Sequence, residues 1–202
     1  MAVITNYATL QTAIGDYLAR DDLSGWIPNF IQNCENKLYR TYNLRNEETA
    51  LSVSISSGVA AVPSSFKALK FAYYDETPVN LLRWVSIDEC YNDYPDRTGS
   101  GKPLVISREG SNFVFGPKSQ DGTLKGIYYA KKDPLRTTDP SWYATNAPEV
   151  LLYGSLLEAA PFLINDERIA VWRSFYEEAT LSLRVENNNA EVSQGSIRVR
   201  PS

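Results

Sequence analysis

Between Val150 and Ile164 a single side chain carries charge, that of Glu158. The run lies inside Pro148–Glu186, the most apolar and most strongly patterned part of the chain. A helix that is apolar nearly all round must be covered by neighbours, so this stretch is either the hub of a fold or half of an interface. Pro148 can open the helix, since a first-turn residue needs no intrahelical N–H bond, and Asn146 stands where a cap would. Pro161 should kink or restart it. Leu163-Ile164-Asn165-Asp166 reads as a joint, and from Asn165 or Asp166 a second helix follows with acids in its first turn, where the helix dipole favours them. Ile169, Trp172, Tyr176, Ala179 and Leu183 then recur at spacings of three and four, which makes one continuous stripe. A carboxylate within an apolar helix is costly unless paired, so Glu158 is expected in a structural ion pair or hydrogen bond with an arginine such as Arg40, Arg168 or Arg173.

Everything upstream has to supply partners for these faces. Thr5 or Asn6 can cap a first helix running to about Arg20, with Leu10, Ile14, Tyr17 and Leu18 inward and Asp16 pairing with Arg20. After a turn at 21–25, a second helix from Trp26 to Tyr42 places Ile27, Phe30, Ile31, Cys34 and Leu38 on its buried side. The short loop makes the two helices antiparallel neighbours. From Arg45 the period changes to two. Strands are expected at 50–55, 59–62, 66–74, 81–84, 104–107, 112–115 and 125–130, with a short helix opened by a capping box at Ser86–Glu89. The segment 96–103 reads as a polar, mobile loop, and 131–146 as a crossing back to the helices.

The residue types present exclude much chemistry. With no His in the chain, the usual zinc sites, Ser-His-Asp or Cys-His catalysis and a neutral imidazole base are all ruled out. Cys34 and Cys90 are too few for a disulfide framework, and Cys34 fits a buried free thiol. The adjacent acids at Asp21-Asp22, Glu47-Glu48, Asp166-Glu167 and Glu177-Glu178 diverge on a helix rather than converge on a substrate. Gly99-Ser-Gly-Lys-Pro103 lacks the spacing of a phosphate loop. No enzyme activity, cofactor or metal is therefore expected. A net charge of −4 argues against a general nucleic-acid or membrane-surface binder, and no apolar run approaches the roughly 18 to 20 residues of a membrane span. Use or assembly in a cytoplasm follows.

Several stretches together resemble a known family. They are Tyr7-Ala-Thr-Leu-Gln-Thr-Ala13, Leu18-Ala-Arg-Asp-Asp-Leu23 and Ile27-Pro-Asn-Phe-Ile31 near the start, and Val62-Pro-Ser-Ser-Phe66 and Tyr128-Tyr-Ala130 in the middle. Near the end they are Leu152-Tyr-Gly-Ser-Leu-Leu-Glu-Ala-Ala-Pro-Phe-Leu163, Asp166-Glu-Arg-Ile-Ala-Val-Trp172 and Tyr176-Glu-Glu-Ala179. The chain resembles the head-to-tail adaptor, or connector, proteins of tailed bacteriophages, especially the short-tailed type. The resemblance implies a non-enzymatic virion protein of the neck region, assembled in the host cytoplasm. It further implies a homo-oligomeric ring, a dodecamer, docked beneath the portal protein and joining it to a tail nozzle or tube protein, with DNA crossing the lumen as cargo.

The expected fold is α+β: an antiparallel helical bundle made of N-terminal and C-terminal hairpins, residues 1–44 and 147–190, around an inserted antiparallel β domain, 45–146, with one short helix. An extended C-terminal arm, 191–202, completes it. After Glu186 the chain has no periodicity beyond Ile197, Arg198, Val199 and Arg200, and a tail of this composition needs a partner to order it, so these four residues are expected to bind the portal or a neighbouring subunit. Two other readings are a tail-completion or tail-tube protein that forms rings without a portal, and a carbohydrate- or receptor-binding module stacking sugars on Trp84, Tyr91, Tyr94 and Trp142.

Overall fold

A computed structural model describes residues 3–137, 139–163 and 166–192. The fold is α+β, in two compact units: Met1–Asn46 with Asp133–Ser202, and Glu47–Lys132.

The first unit is helical. Helix α1 spans Tyr7–Leu18, where the Asn6 side chain accepts the Thr9 N–H and Thr9 answers with its hydroxyl, a reciprocal cap. It stops when Ala19 turns left-handed at φ 49°. Arg20 therefore leaves the helix and pairs with Asp22 at 2.6 Å instead of the expected Asp16. After a 3-10 segment, α2 runs Ile27–Thr41 with Pro28 in its first turn. The stretch 131–146, expected as an irregular crossing, contains the five-residue α4, Trp142–Asn146, capped by the Ser141 hydroxyl accepting the Ala144 N–H. Asn146 is thus the last residue of α4 and bonds back to the Trp142 carbonyl, so it does not cap α5.

Helix α5 runs Pro148–Glu158 and a 3-10 turn at Ala160–Phe162 holds Pro161. Helix α6 runs Arg168–Val192, six residues past Glu186 and two into the stretch expected as an extended arm. Three successive asparagines favour a stop, but Arg45 holds this last part. Its backbone N–H donates to Asn187 Oδ1 and its guanidinium to the Ala190 carbonyl, both at 2.8 Å. Helix α5 packs against α1, α2, α4 and α6. Val150, Leu151, Leu152, Gly154, Ser155 and Leu156 are all buried in this unit's core.

The second unit is one eight-stranded sheet. Its strands are β1 Glu48–Ser56, β2 Val59–Ala61, β3 Phe66–Tyr74, β4 Asn80–Leu81, β5 Arg83–Trp84, β6 Val105–Glu109, β7 Asn112–Gly116 and β8 Gly122–Ala130. They lie in the order β4-β3-β8-β1-β2-β7-β6-β5. The β1–β2 hairpin turns on Ser57 and Gly58, both at positive φ, as a two-residue hairpin loop favours. The expected strand at 81–84 is split. Its first half pairs with β3, Leu82 N–H donates to the Ala72 carbonyl, and its second half pairs with β6. The two ends of the sheet are therefore joined through Leu82.

Pairing is antiparallel except between β5 and β6, which are parallel. That ladder corrects the expectation of a purely antiparallel sheet, because the connection between these strands is a crossover carrying helix α3, Ile87–Asp93. Strand alternation sends Leu51, Ile55, Ile106, Phe113 and Phe115 into the sheet's core. Val105 and Val114 point the other way and meet Cys90 beneath α3. The segment 96–103, expected to be mobile, is tied down: the Arg97 guanidinium bonds the Phe115 carbonyl, Gly101 bridges to Ser119, and Lys102 pairs with Glu76 at 3.1 Å.

Candidate interaction surfaces

Helix α6 presents two apolar faces. Trp172, Ala179 and Leu183 are buried, with Ile169 and Tyr176 half-buried against the same core. At about 100° per residue, Val171, Phe175, Leu181 and Val185 gather in a second arc of roughly 120°, centred well away from the first. These four side chains are between 44% and 60% exposed. Glu178, Ser174 and Ser182 lie within that arc. The Phe175 ring also packs on Tyr153 at 5.1 Å between centroids, and Tyr153 meets Tyr17 edge-on at 6.2 Å, which extends the aromatic surface towards α1. A smaller patch joins exposed Trp26 to Phe162, with ring centroids 5.4 Å apart.

At the far end of α6 is a groove of about 380 Å³, floored by Leu44, Trp142 and Leu183 and edged by Asn46, Glu186 and Asn187. Asn46 Oδ1 is enclosed with no hydrogen-bond donor among the described residues.

Glu158 forms its ion pair with Lys37 of α2, not with an arginine. Of the expected candidates, Arg40 bonds back to the Asn36 carbonyl, Arg168 is held by Asp166 and by the Tyr17 carbonyl at 2.9 Å, and Arg173 lines the same cavity as Glu158. Close by, Gly154 lets α5 approach its neighbours closely. An added Cβ would stand 2.4 Å from Cys34 Sγ and 2.9 Å from the Tyr176 ring. Burial pushes the Cys34 thiol up to about 12, which suits an inert packing role.

Besides Glu47, which is 0% exposed and paired with Lys67 at 2.6 Å, Glu35 is a buried acid that sequence reasoning missed. It is 2% exposed and accepts the Leu135 N–H at 2.9 Å, anchoring the crossing segment to α2. Desolvation pushes its carboxyl up to about 7, and the Leu135 hydrogen bond offsets this only in part. Tyr7, Gln32 and Arg136 share a cavity of about 80 Å³ with it. A signal existed: Glu35 stands four residues after Ile31 and three before Leu38, on the apolar face of α2.

Of the four aromatics considered for sugar stacking, Trp84 is 47% exposed and sets its ring edge-on against Phe113. Trp142 belongs to the helical unit and the other three to the sheet unit. Tyr91 donates to Glu109 and lies under the Arg97 guanidinium, while the Tyr94 ring closes over Gly116. Ile197, Arg198, Val199 and Arg200 lie outside the described residues. Among the described residues, no three His, Cys, Asp or Glu side chains gather as metal ligands, and no helix is long and apolar enough to cross a membrane.

This α+β chain matches a sequence family over nearly its whole length, which makes it a structural adaptor protein of bacteriophage. The chain belongs to the SU10 adaptor protein family, whose sequence model matches residues 5–200. No curated protein matches the chain.

Proposed function

We propose that this protein is a head-to-tail adaptor: a non-enzymatic virion component whose copies form a twelve-fold ring joining the portal to the tail, with DNA passing through the lumen. Its helices act as an antiparallel bundle of two hairpins, and the C-terminal arm carrying Ile197, Arg198, Val199 and Arg200 engages the portal or a neighbouring subunit. The observation that carries the ring is the outward face of α6, where Val171, Phe175, Leu181 and Val185 stand half-exposed along one side of a helix whose other side is already packed. A ring needs heterologous contacts between copies, and an apolar face of this kind favours them. A net charge of −4 suits a channel that DNA passes without sticking.

The test is to size the purified chain alone and mixed with the portal of its phage, and to image the mixture by electron microscopy. A ring beneath the portal is expected. Two components that stay separate at every concentration would sink the reading. Truncation for this purpose belongs after Val192, since removing Asn187 and Ala190 would also strip Arg45 of its partners.

A further inference from the structure

We propose that the outward face of α6 is self-complementary and pairs with the same face of a second copy, antiparallel about a two-fold axis at Glu178, and that the charge of Glu178 holds this pairing weak. The face reads alike in both directions. Val171 and Val185 stand seven residues to either side of Glu178, Ser174 and Ser182 four, and Phe175 and Leu181 three. At about 100° per residue the valines lie roughly 20° from Glu178 around the helix, the serines roughly 40°, and Phe175 and Leu181 roughly 60°, with the members of each pair on opposite sides. No other residue between Val171 and Val185 falls in this arc, and all seven side chains are exposed.

A two-fold contact sets residue i against residue j and j against i. With the axis at Glu178, Val171 of one copy comes level with Val185 of the other, and the level of Ser174 and Phe175 meets that of Leu181 and Ser182. Each apolar level therefore finds an apolar level. The exception is the axis itself, where the two Glu178 carboxylates confront one another. Ser174 and Ser182, one turn to either side, bring no positive charge to separate them. Like charges repel more strongly as water is excluded from between them, and a charge covered without a partner is costly. The contact also spans only the 15 residues from Val171 to Val185, about 21 Å of one helix, which is less than a standard interface. A pair of this kind is closed, since each copy spends the same surface on the other. It competes for the face that the ring reading gives to a neighbouring copy, and Glu178 leaves that face open. The pairing concerns the isolated chain and does not rest on the ring reading.

The experiment is sedimentation equilibrium of the full-length chain. Glu178→Gln keeps the side chain's size, removes its charge, and is expected to tighten dimerisation at least about tenfold. Glu178→Lys alone should dimerise no more tightly than the native chain. An equimolar mixture of Glu178→Lys with the native chain should pair at least about tenfold more tightly than either component, because opposite charges then meet at the axis. Equal association in all four samples overturns the proposal, and so does a mixture no tighter than its components. Oxidation by diamide reads the direction, with Val171→Cys and Val185→Cys each introduced beside Glu178→Gln; the native Cys34 and Cys90 are buried. The two variants should link to one another when mixed and not to themselves, since only opposed positions come within disulfide reach. Linking of Val171→Cys to itself would set the helices parallel and overturn the arrangement. A native chain that forms no ring with portal, beside a Glu178→Gln variant that pairs tightly, supports this inference and defeats only the adaptor reading.

Discussion

Helices α5 and α6 come from one continuous sequence stretch but solve opposite problems. Helix α5 has the more apolar sequence, yet it is closed in by α1, α2, α4 and α6 and offers almost nothing to the outside. Helix α6 is more polar overall, yet it keeps a row of large apolar side chains outward. Hydrophobicity along a sequence therefore does not identify an interface. What marks one is apolar surface left over after the core has taken its share.

The sharpest way to break this comparison is to damage each helix separately. Leu151→Ala in α5 empties a site that is 0% exposed and should cost about 3 kcal/mol in urea unfolding; a loss below about 1 kcal/mol would mean that α5 is not the hub. The combined change Val171→Ser, Leu181→Ser and Val185→Ser in α6 should leave stability nearly unchanged, within about 0.5 kcal/mol per site. It should weaken self-association at least about tenfold in light scattering, some 1.4 kcal/mol. If the triple variant unfolds as readily as Leu151→Ala, the outward face is part of the core after all.

Two smaller effects sharpen the picture of the core. Glu35 binds its proton more tightly folded than unfolded, with a carboxyl raised from 4.5 to about 7. Its contribution to stability is therefore fully present below about pH 4.5 and is lost as pH rises through about 7. Glu35→Gln keeps an acceptor for the Leu135 N–H and should flatten that slope in pH-dependent melting curves; an unchanged slope would remove the role. Smallest of all, Lys37→Met should cost about 1 kcal/mol or less, because the lysine side chain is 61% exposed even though Glu158 is only 15% exposed. Thermal melts in low and high salt measure it.

Much of the fold was legible because period dominates where an element is long. The strand at Phe66–Tyr74 and the helix over Ile27–Thr41 both follow from spacing alone. What was illegible depends on distant partners. Helix α4 is too short for a periodic signal and is fixed by a single Ser141 cap. The switch of partners at Leu82 depends on where β3 and β6 lie, which local pattern does not record. The outward face of α6 was hidden by its spacing of four, six and four, interrupted by Glu178. Glu158 was readable as a charge needing a partner, but Lys37 was chosen by packing between α2 and α5.

The joining of the sheet's ends through Leu82 has a consequence for how such a protein keeps its neighbours in order. A sheet that stops in mid-air carries a row of unspent hydrogen bonds that accepts almost any passing strand. Here β4 and β5 are two residues each and run into one another, so the sheet unit carries little of that indiscriminate adhesive. Any copies brought together would then meet through the shapes and charges of their side chains, without zipping backbone to backbone.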